Sequence, residues 1–315
     1  MMQVANIITK AQVSPVRWAV LLFALALNGA WAVAHAAKEE AISATLRKAA
    51  HYSKISSNHD NGFGRPLWLE SVTANGTAKG TVEAVLAFPF SEASRHLRRP
   101  ASWCDILILH FNIKSCSVVS RKDETVIEVG IGRKHDHTSG KVYHVSFMFG
   151  VVEHRGDWLH VRLIADKGPL STRNYRIVVM ASPLSNEKLV VKLSYAYDYG
   201  LIGKLAMEAY LGTLGRNKVG FTVEGRQADG RPRYVRGMRG AVERNAMRYC
   251  LAVESFMRSL SWPRYQQVEA RLQDWFTSTQ HFSRQLYEMD RDAYLALKRK
   301  EIERQQAFSA VDADG

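Results

Sequence analysis

The spacing of apolar residues divides the chain into a region with a period of two and a region with a helical period. From Thr81 onward, strand-like patterns of apolar and polar side chains occur in "TVEAVLAFPF", "KSCSVVS", "ETVIEVGIGR", "YHVSFMFGVVEH", "DWLHVRLIAD", "YRIVVMASPL" and "KLVVKLSYAYDY". Such patterns are typical of half-buried strands. The breaks between these segments, such as "RKDE", "HRGD" and "LSNE", resemble hairpin turns. The pattern therefore predicts an antiparallel sheet of about seven strands that ends at Tyr199.

Two short helices are predicted directly after the first of these strands. Pro89 ends the strand, and Ser91 is a suitable N-cap for "SEASRHL". Pro100 can open a second helix around Trp103–Leu107, since proline is favoured at the first helical position.

The last third of the chain has a helical pattern. In "GAVERNAMRYCLAVESFMRSL" the apolar residues recur at spacings of three and four, which predicts a long amphipathic helix over residues 241–260. Trp262-Pro263 ends it. A helical pair follows, Arg264–Phe282 and Ser283–Gln306, and the charge-rich second helix is expected to be mostly exposed.

The N-terminal residues have the pattern of a secretory signal peptide. Lys10 and Arg17 precede an apolar run, Trp18–Leu27, and an A-x-A site at Ala34-His35-Ala36 follows. We therefore expect a signal peptide over residues 1–36, cleaved near Ala36, and a periplasmic mature protein. An uncleaved N-terminal membrane anchor is the alternative. No later segment approaches the roughly 20 continuous apolar residues that a membrane span needs.

The chain is strongly basic, with a formal net charge of +13. For an exported protein this balance points to an anionic membrane surface or an envelope polyanion rather than to nucleic acid. Ordinary solubility is an equally good explanation, because no run of five like charges occurs.

The cysteines allow one disulfide. Cys104 and Cys116 are separated by eleven residues, too many for the usual zinc-ligand spacing and for a redox C-x-x-C pair. Catalysis by a cysteine would need a nearby base such as His110. In an oxidising compartment a structural disulfide between Cys104 and Cys116 is favoured, with Cys250 left free.

The stretch "GTVEAVLAFPFSEASRHLRRPASWCDIL", residues 80–107, resembles the START-like superfamily (also called SRPBCC, helix-grip or polyketide cyclase-like). The resemblance lies in a strand that ends in Pro-Phe, a "SEAxxxL" helix, a Pro-Ala break and a tryptophan. It implies an α+β fold in which a curved antiparallel sheet wraps around a long helix and encloses an apolar cavity for a lipid or other hydrophobic small molecule.

The predicted organisation follows from this resemblance. An N-terminal helix and loop occupy residues 37–77, the START-like domain spans 78–260 with an inserted segment at 200–239, and a C-terminal helical extension covers 261–315.

Cavity-lining residues are predicted from the aromatic strands and from the long helix. In "KLSYAYDYG", Tyr195, Tyr197 and Tyr199 share one strand face, which suits either a half-polar cavity or a ladder on the exposed face. The full predicted set is Trp103, His144, Phe147, Phe149, Met180, Tyr195, Tyr197, Tyr249, Phe256 and Met257.

No catalytic or metal-binding motif is evident, so we expect a binding protein without a cofactor or metal. The hairpin residues His135, Asp136 and His137 could chelate a metal, but a polar turn explains them better. A cyclase or hydrolase on the same scaffold would need a buried acid–base residue, and a third possibility is an envelope interaction module that uses the basic C-terminal helices. The acid–base candidates are Asp105, His110, His144, Glu153, His154 and His160.

Overall fold

Eight antiparallel strands form one sheet in the computed structural model, which describes residues 63–122, 124–132, 142–213 and 215–311. The strand order is β1-β2-β8-β7-β6-β5-β4-β3. The predicted signal peptide, the predicted helix of the 37–77 segment and the hairpin residues His135, Asp136 and His137 lie outside the described residues. The strands are β1 (Leu67–Ala74), β2 (Thr77–Leu86), β3 (Ile113–Arg121), β4 (Glu124–Ile131), β5 (Tyr143–Arg155), β6 (Trp158–Lys167), β7 (Thr172–Pro183) and β8 (Leu189–Tyr199).

The alternating pattern places one side of each strand in the core. On β8, for example, the inward-facing residues Val191, Leu193 and Tyr195 are buried. The sheet has one strand more than predicted because β1, which begins before residue 78, pairs with β2 from Leu67 to Ala74.

Seven α-helices accompany the sheet in the part of the chain that is described. They are α1 (Phe90–Leu97), α2 (Pro100–Leu107), α3 (Leu201–Thr213), α4 (Gly237–Ser259), α5 (Arg264–Gln280), α6 (Ser283–Leu286) and α7 (Arg291–Val311). The inserted segment contains α3 and a small hairpin, β9 (Val223–Arg226) with β10 (Pro232–Tyr234). None of the described helices has the length and apolar character needed to cross a bilayer.

Helix α4 packs on the concave side of the sheet, so the predicted α+β helix-grip fold is confirmed. The sequence pattern predicts one apolar stripe, yet the polar side of α4 is also buried. Glu243 accepts hydrogen bonds from the backbone N–H groups of Phe221 (2.5 Å) and Thr222 (3.0 Å), and Arg244 donates to the carbonyl of Val219 (3.2 Å). The inserted segment therefore covers charged groups of α4 and satisfies them.

The C-terminal extension differs from its prediction. The chain does not continue as one helix from Ser283: α6 ends at Leu286, and a new helix starts where the Asp290 carboxylate accepts a hydrogen bond from the N–H of Ala293 (2.8 Å). Helix α7 is mostly exposed, as predicted, but one face of it is buried and contains Tyr294, Leu295, Leu297, Lys298 and Glu301.

The predicted disulfide is confirmed: Cys104 in α2 is bonded to Cys116 in β3, with an S–S distance of 2.07 Å. Cys250 is free and buried in α4. The bond closes a short loop that contains His110, and such a crosslink contributes about 2–4 kcal/mol.

Candidate functional site

Four phenol side chains meet between the sheet and α4. Tyr175 comes from β7, Tyr195 and Tyr197 from β8, and Tyr249 from α4; we call this group the tyrosine cluster. The ring centroids of Tyr175 and Tyr197 are 5.3 Å apart, and those of Tyr195 and Tyr249 are 5.6 Å apart. The rings are therefore in contact and themselves occupy the space between the two layers.

The tyrosine cluster keeps a small accessible surface. Tyr175, Tyr195 and Tyr249 each keep 8% of their surface accessible, whereas their apolar neighbours Leu193 and Val242 keep none. The two cluster tyrosines of β8 face inward, so the alternative of a ladder on the exposed face does not apply to them.

His110 adds a buried imidazole to the tyrosine cluster. It follows α2, its ring stacks on Tyr249 with centroids 5.5 Å apart, and its Nδ1 accepts a hydrogen bond from the N–H of Asn112 (3.2 Å). In the neutral ring the proton is therefore on Nε2, which is buried and makes no hydrogen bond of good geometry to a described residue, although Asn245 is near enough to raise the pKa of the ring. Burial, and then the positive charges of Arg248 and Lys298, hold the pKa of His110 well below its usual value. The imidazole is therefore neutral at pH 7.

The phenols are also held in their neutral form. Burial is the main cause that raises the pKa of Tyr195, Tyr197 and Tyr249 above the usual value for tyrosine. The hydroxyl of Tyr175 is hydrogen-bonded to the Thr172 hydroxyl (2.9 Å), but the buried Oη of Tyr197 has no partner in the described part of the chain. Neutral phenols can donate as well as accept a hydrogen bond.

Two polar side chains of α4, Asn245 and Arg248, lie near the cluster. Asn245 lies close enough to His110 and Tyr195 to influence the pKa of each. Arg248 lies over the ring of Phe111, with Cζ 4.7 Å from the centroid, and pairs with Glu288 at 2.8 Å. The site therefore combines aromatic surface with hydrogen-bonding groups.

Helix α7 fixes the backbone of the segment that carries His110. The Lys298 ammonium donates to the carbonyls of His110 and Ile113, both at 2.7 Å, and to Glu301 at 2.8 Å. The Tyr294 hydroxyl donates to the carbonyl of Leu109 at 2.8 Å. These contacts hold the imidazole against Tyr249 from behind.

The structure brings only part of the predicted set together. Tyr195, Tyr197 and Tyr249 form the cluster, and five further residues are buried or half-buried in the core around it: Trp103, Phe147, Phe149, Phe256 and Met257. Trp103 donates its indole N–H to the carbonyl of Leu97 (2.8 Å). His144 is exposed on the outer face of β5, and the half-buried Met180 lies on the outer face of β7 between His160 and Lys192.

His110 was predicted only as an acid–base candidate, and Tyr175 and Asn245 were not predicted although the sequence held a signal for each. Tyr175 has the same parity along β7 as the buried Ile177 and Val179. Asn245 precedes Tyr249 by four residues on α4, which places both on one helix face.

Two open clefts lie away from the tyrosine cluster. One, of about 370 Å³, lies where α4 meets α5 and is lined by Met257, Arg258, Trp262 and Asp274 among others. The other, of about 290 Å³, lies beside the β9–β10 hairpin. No group of three or more His, Cys, Asp or Glu residues in the described ranges is arranged to hold a metal ion.

The solved structures that are similar to part of this chain include the following three. Norcoclaurine synthase from Thalictrum flavum is 15% identical, with 46% of this chain and 82% of that chain covered and a TM-score of 0.32. An aromatase/cyclase from Streptomyces sp. R1128 is 9% identical, with 64% and 96% covered and a TM-score of 0.32. A STAR-related lipid transfer protein from Xanthomonas axonopodis is 16% identical, with 47% and 89% covered and a TM-score of 0.30.

No protein-family model matches the chain, and no curated protein matches it either. Because the identities and TM-scores are low, the helix-grip fold rests on the strand order and on the position of α4.

Proposed function

We propose that this protein is exported to the periplasm and binds a lipid or other hydrophobic small molecule that carries a polar group, without chemistry. The observation that carries the proposal is the pair of buried, unpartnered polar atoms in and beside the tyrosine cluster, His110 Nε2 and Tyr197 Oη. Buried polar atoms nearly always have a hydrogen-bond partner, so two orphans beside partly accessible phenols call for one.

The chemistry of the cluster defines the ligand that it suits. Aromatic rings provide apolar surface, whose burial contributes about 25 cal/mol per Å². The Nε2–H of His110 can donate one hydrogen bond and each phenol can donate or accept one, which suits a hydroxyl or carbonyl group on the ligand. Because the rings fill the space in this structure, binding requires at least one of them to change rotamer.

The proposal is tested by native mass spectrometry of the protein purified without detergent, followed by delipidation and rebinding. A bound hydrophobic molecule of defined mass is expected in the wild type. His110→Phe should reduce its occupancy at least tenfold, because the imidazole contact is lost. His144→Phe is the matched control, since that histidine lies on the outer face and should leave occupancy unchanged. Wild-type protein free of any such molecule, and unable to rebind lipid extracts, would overturn the proposal.

Catalysis by a cyclase or hydrolase is the second candidate, and His110 is the observation in its favour. The buried neutral imidazole accepts a hydrogen bond at Nδ1 and therefore carries its proton on Nε2, which can donate to a substrate carbonyl oxygen and polarise it. Turnover of a bound carbonyl compound would favour catalysis over simple binding. His110→Phe should abolish this turnover, whereas Asn245→Leu should still bind the compound.

The interaction module built on the C-terminal helices has less support. Among the described residues 264–306, the large apolar side chains that are exposed are Tyr265 and Tyr287, which do not form the continuous patch that such a module needs. Exported localisation is supported by the N-terminal sequence and by the Cys104–Cys116 disulfide, and the mass of the mature protein tests it.

A further inference from the structure

The cleft beside the β9–β10 hairpin is strongly basic. The segment 216–239, which contains the hairpin, carries seven basic residues and two acidic ones. Three arginines line the cleft from three places in the fold: Arg233 from β10, Arg236 from the residue before α4, and Arg284 from α6. All three side chains are exposed to solvent.

These guanidinium groups lack carboxylate partners in the described part of the chain. Arg233 donates to the backbone carbonyl of Glu224 (3.4 Å), and Arg284 donates to the backbone carbonyl of Asn217 (3.4 Å). No hydrogen bond or ion pair to the Arg236 guanidinium is found among the described residues. The one carboxylate that lines the cleft, Glu224, is engaged by Arg239 at 3.1 Å.

We propose that this cleft binds a phosphate group. Three like charges gathered around one concavity repel one another, and an anion relieves that repulsion. Arginine binds phosphate through two parallel N–H···O bonds, and three guanidiniums match a phosphate better than they match a single carboxylate. The volume of about 290 Å³ accommodates a phosphate together with a small alcohol such as glycerol. Gln227 and Tyr234 also line the cleft and can bond the alcohol part.

The source of the phosphate is either a soluble ester or a lipid headgroup, and the probes separate the two. Glycerol 3-phosphate is titrated into the full-length mature protein by calorimetry, and sedimentation with phosphatidylglycerol vesicles is measured in parallel. Arg236→Ala and Arg284→Ala should each weaken phosphate binding at least tenfold. Arg226→Ala removes the same charge from the same hairpin but outside the cleft lining, so it should change the affinity less than twofold.

Each outcome decides the proposal. Glycerol 3-phosphate binding that depends on Arg236, with or without vesicle binding, supports the site, and the vesicle arm then identifies its source. Absence of binding in both arms overturns it. Equal losses in Arg226→Ala and Arg236→Ala, or equal affinity for acetate and for glycerol 3-phosphate, would also overturn it, because a diffuse positive field would explain either result. Failure here leaves the ligand proposed for the tyrosine cluster unaffected, since that ligand is tested with His110→Phe.

Discussion

Two buried polar groups lie on opposite sides of the segment 109–113, and they differ in how completely they are satisfied. On the α7 side, the Lys298 ammonium is fully buried, yet it donates three hydrogen bonds, to His110 O, Ile113 O and Glu301. On the α4 side, His110 Nε2 and Tyr197 Oη are buried without partners among the described residues.

This difference distinguishes a group that stabilises the fold from the groups that are proposed to bind a ligand. A buried charge that has all its hydrogen bonds stabilises one arrangement of the chain, whereas an unpaired buried polar atom costs free energy. One backbone segment joins the two groups. The structure therefore holds the incomplete side in place by means of the complete side, which is what the proposed ligand site requires.

The largest effect on stability is expected from a substitution of Lys298, on the α7 side, where the buried group has all its hydrogen bonds. Lys298→Met keeps the length of the side chain but removes the ammonium from the carbonyls of His110 and Ile113 and from the buried Glu301 carboxylate, which keeps Lys114 as its remaining partner at 2.9 Å. Removing one partner of a buried ion pair typically costs about 3–5 kcal/mol. Urea denaturation should show this loss in the free energy of unfolding.

A matched control lies two residues further along α7. Lys300 is exposed, so Lys300→Met should change stability by less than about 0.5 kcal/mol. Similar effects for the two variants would show that the Lys298 contacts contribute little. Burial lowers the pKa of Lys298 to about 8, so the measurement belongs at pH 7, where the ammonium is charged.

The sequence predicted the sheet more fully than the site, for reasons visible in single residues. Alternation along β8 predicted that Tyr195 and Tyr197 share a face, and spacing along α4 predicted the position of Tyr249. The same alternation puts Phe147 and His144 on opposite faces of β5, so the two cannot line one cavity. Tyr175 and Met180 differ in the same way along β7.

The burial of one face of α7 could not be predicted from the sequence pattern. Lys298 and Glu301 occur among many charges, and a charge-rich helix normally lies at the surface. Only the tertiary position of the His110 and Ile113 carbonyls makes burial of an ammonium favourable, and those carbonyls lie 185 or more residues earlier in the chain.

A smaller effect on stability is expected from the protonation of His110, on the α4 side, where the buried atoms lack hydrogen-bond partners. The pKa of His110 is lowered in the folded state, so below about pH 6.5 the unfolded chain takes up a proton that the folded chain does not. Protonation of His110 in the unfolded chain should therefore lower the free energy of unfolding by up to about 1.4 kcal/mol for each pH unit below about pH 6.5. Above about pH 6.5 the contribution of His110 should not change. Urea denaturation between pH 7 and 5 measures how steeply the free energy of unfolding depends on pH. In His110→Phe this dependence should correspond to the uptake of about one proton less on unfolding. Identical slopes would mean that His110 titrates normally and is not sealed from solvent.

The smallest effect, and the sharpest comparison, comes from removing one hydroxyl at a time within the tyrosine cluster. Tyr197→Phe removes a buried hydroxyl that has no partner among the described residues, so the ligand-free protein should become more stable by about 1 kcal/mol. Tyr175→Phe makes the same chemical change where the hydroxyl is bonded to Thr172, so stability should fall by about 1 kcal/mol. Opposite signs in urea denaturation are therefore expected from identical substitutions in contacting rings. If Tyr197→Phe also weakens ligand binding, the Tyr197 hydroxyl contacts the ligand at the expense of the stability of the fold. If both variants lose stability equally, the Tyr197 hydroxyl already has a partner within the fold. The proposed ligand contact at that atom would then be wrong.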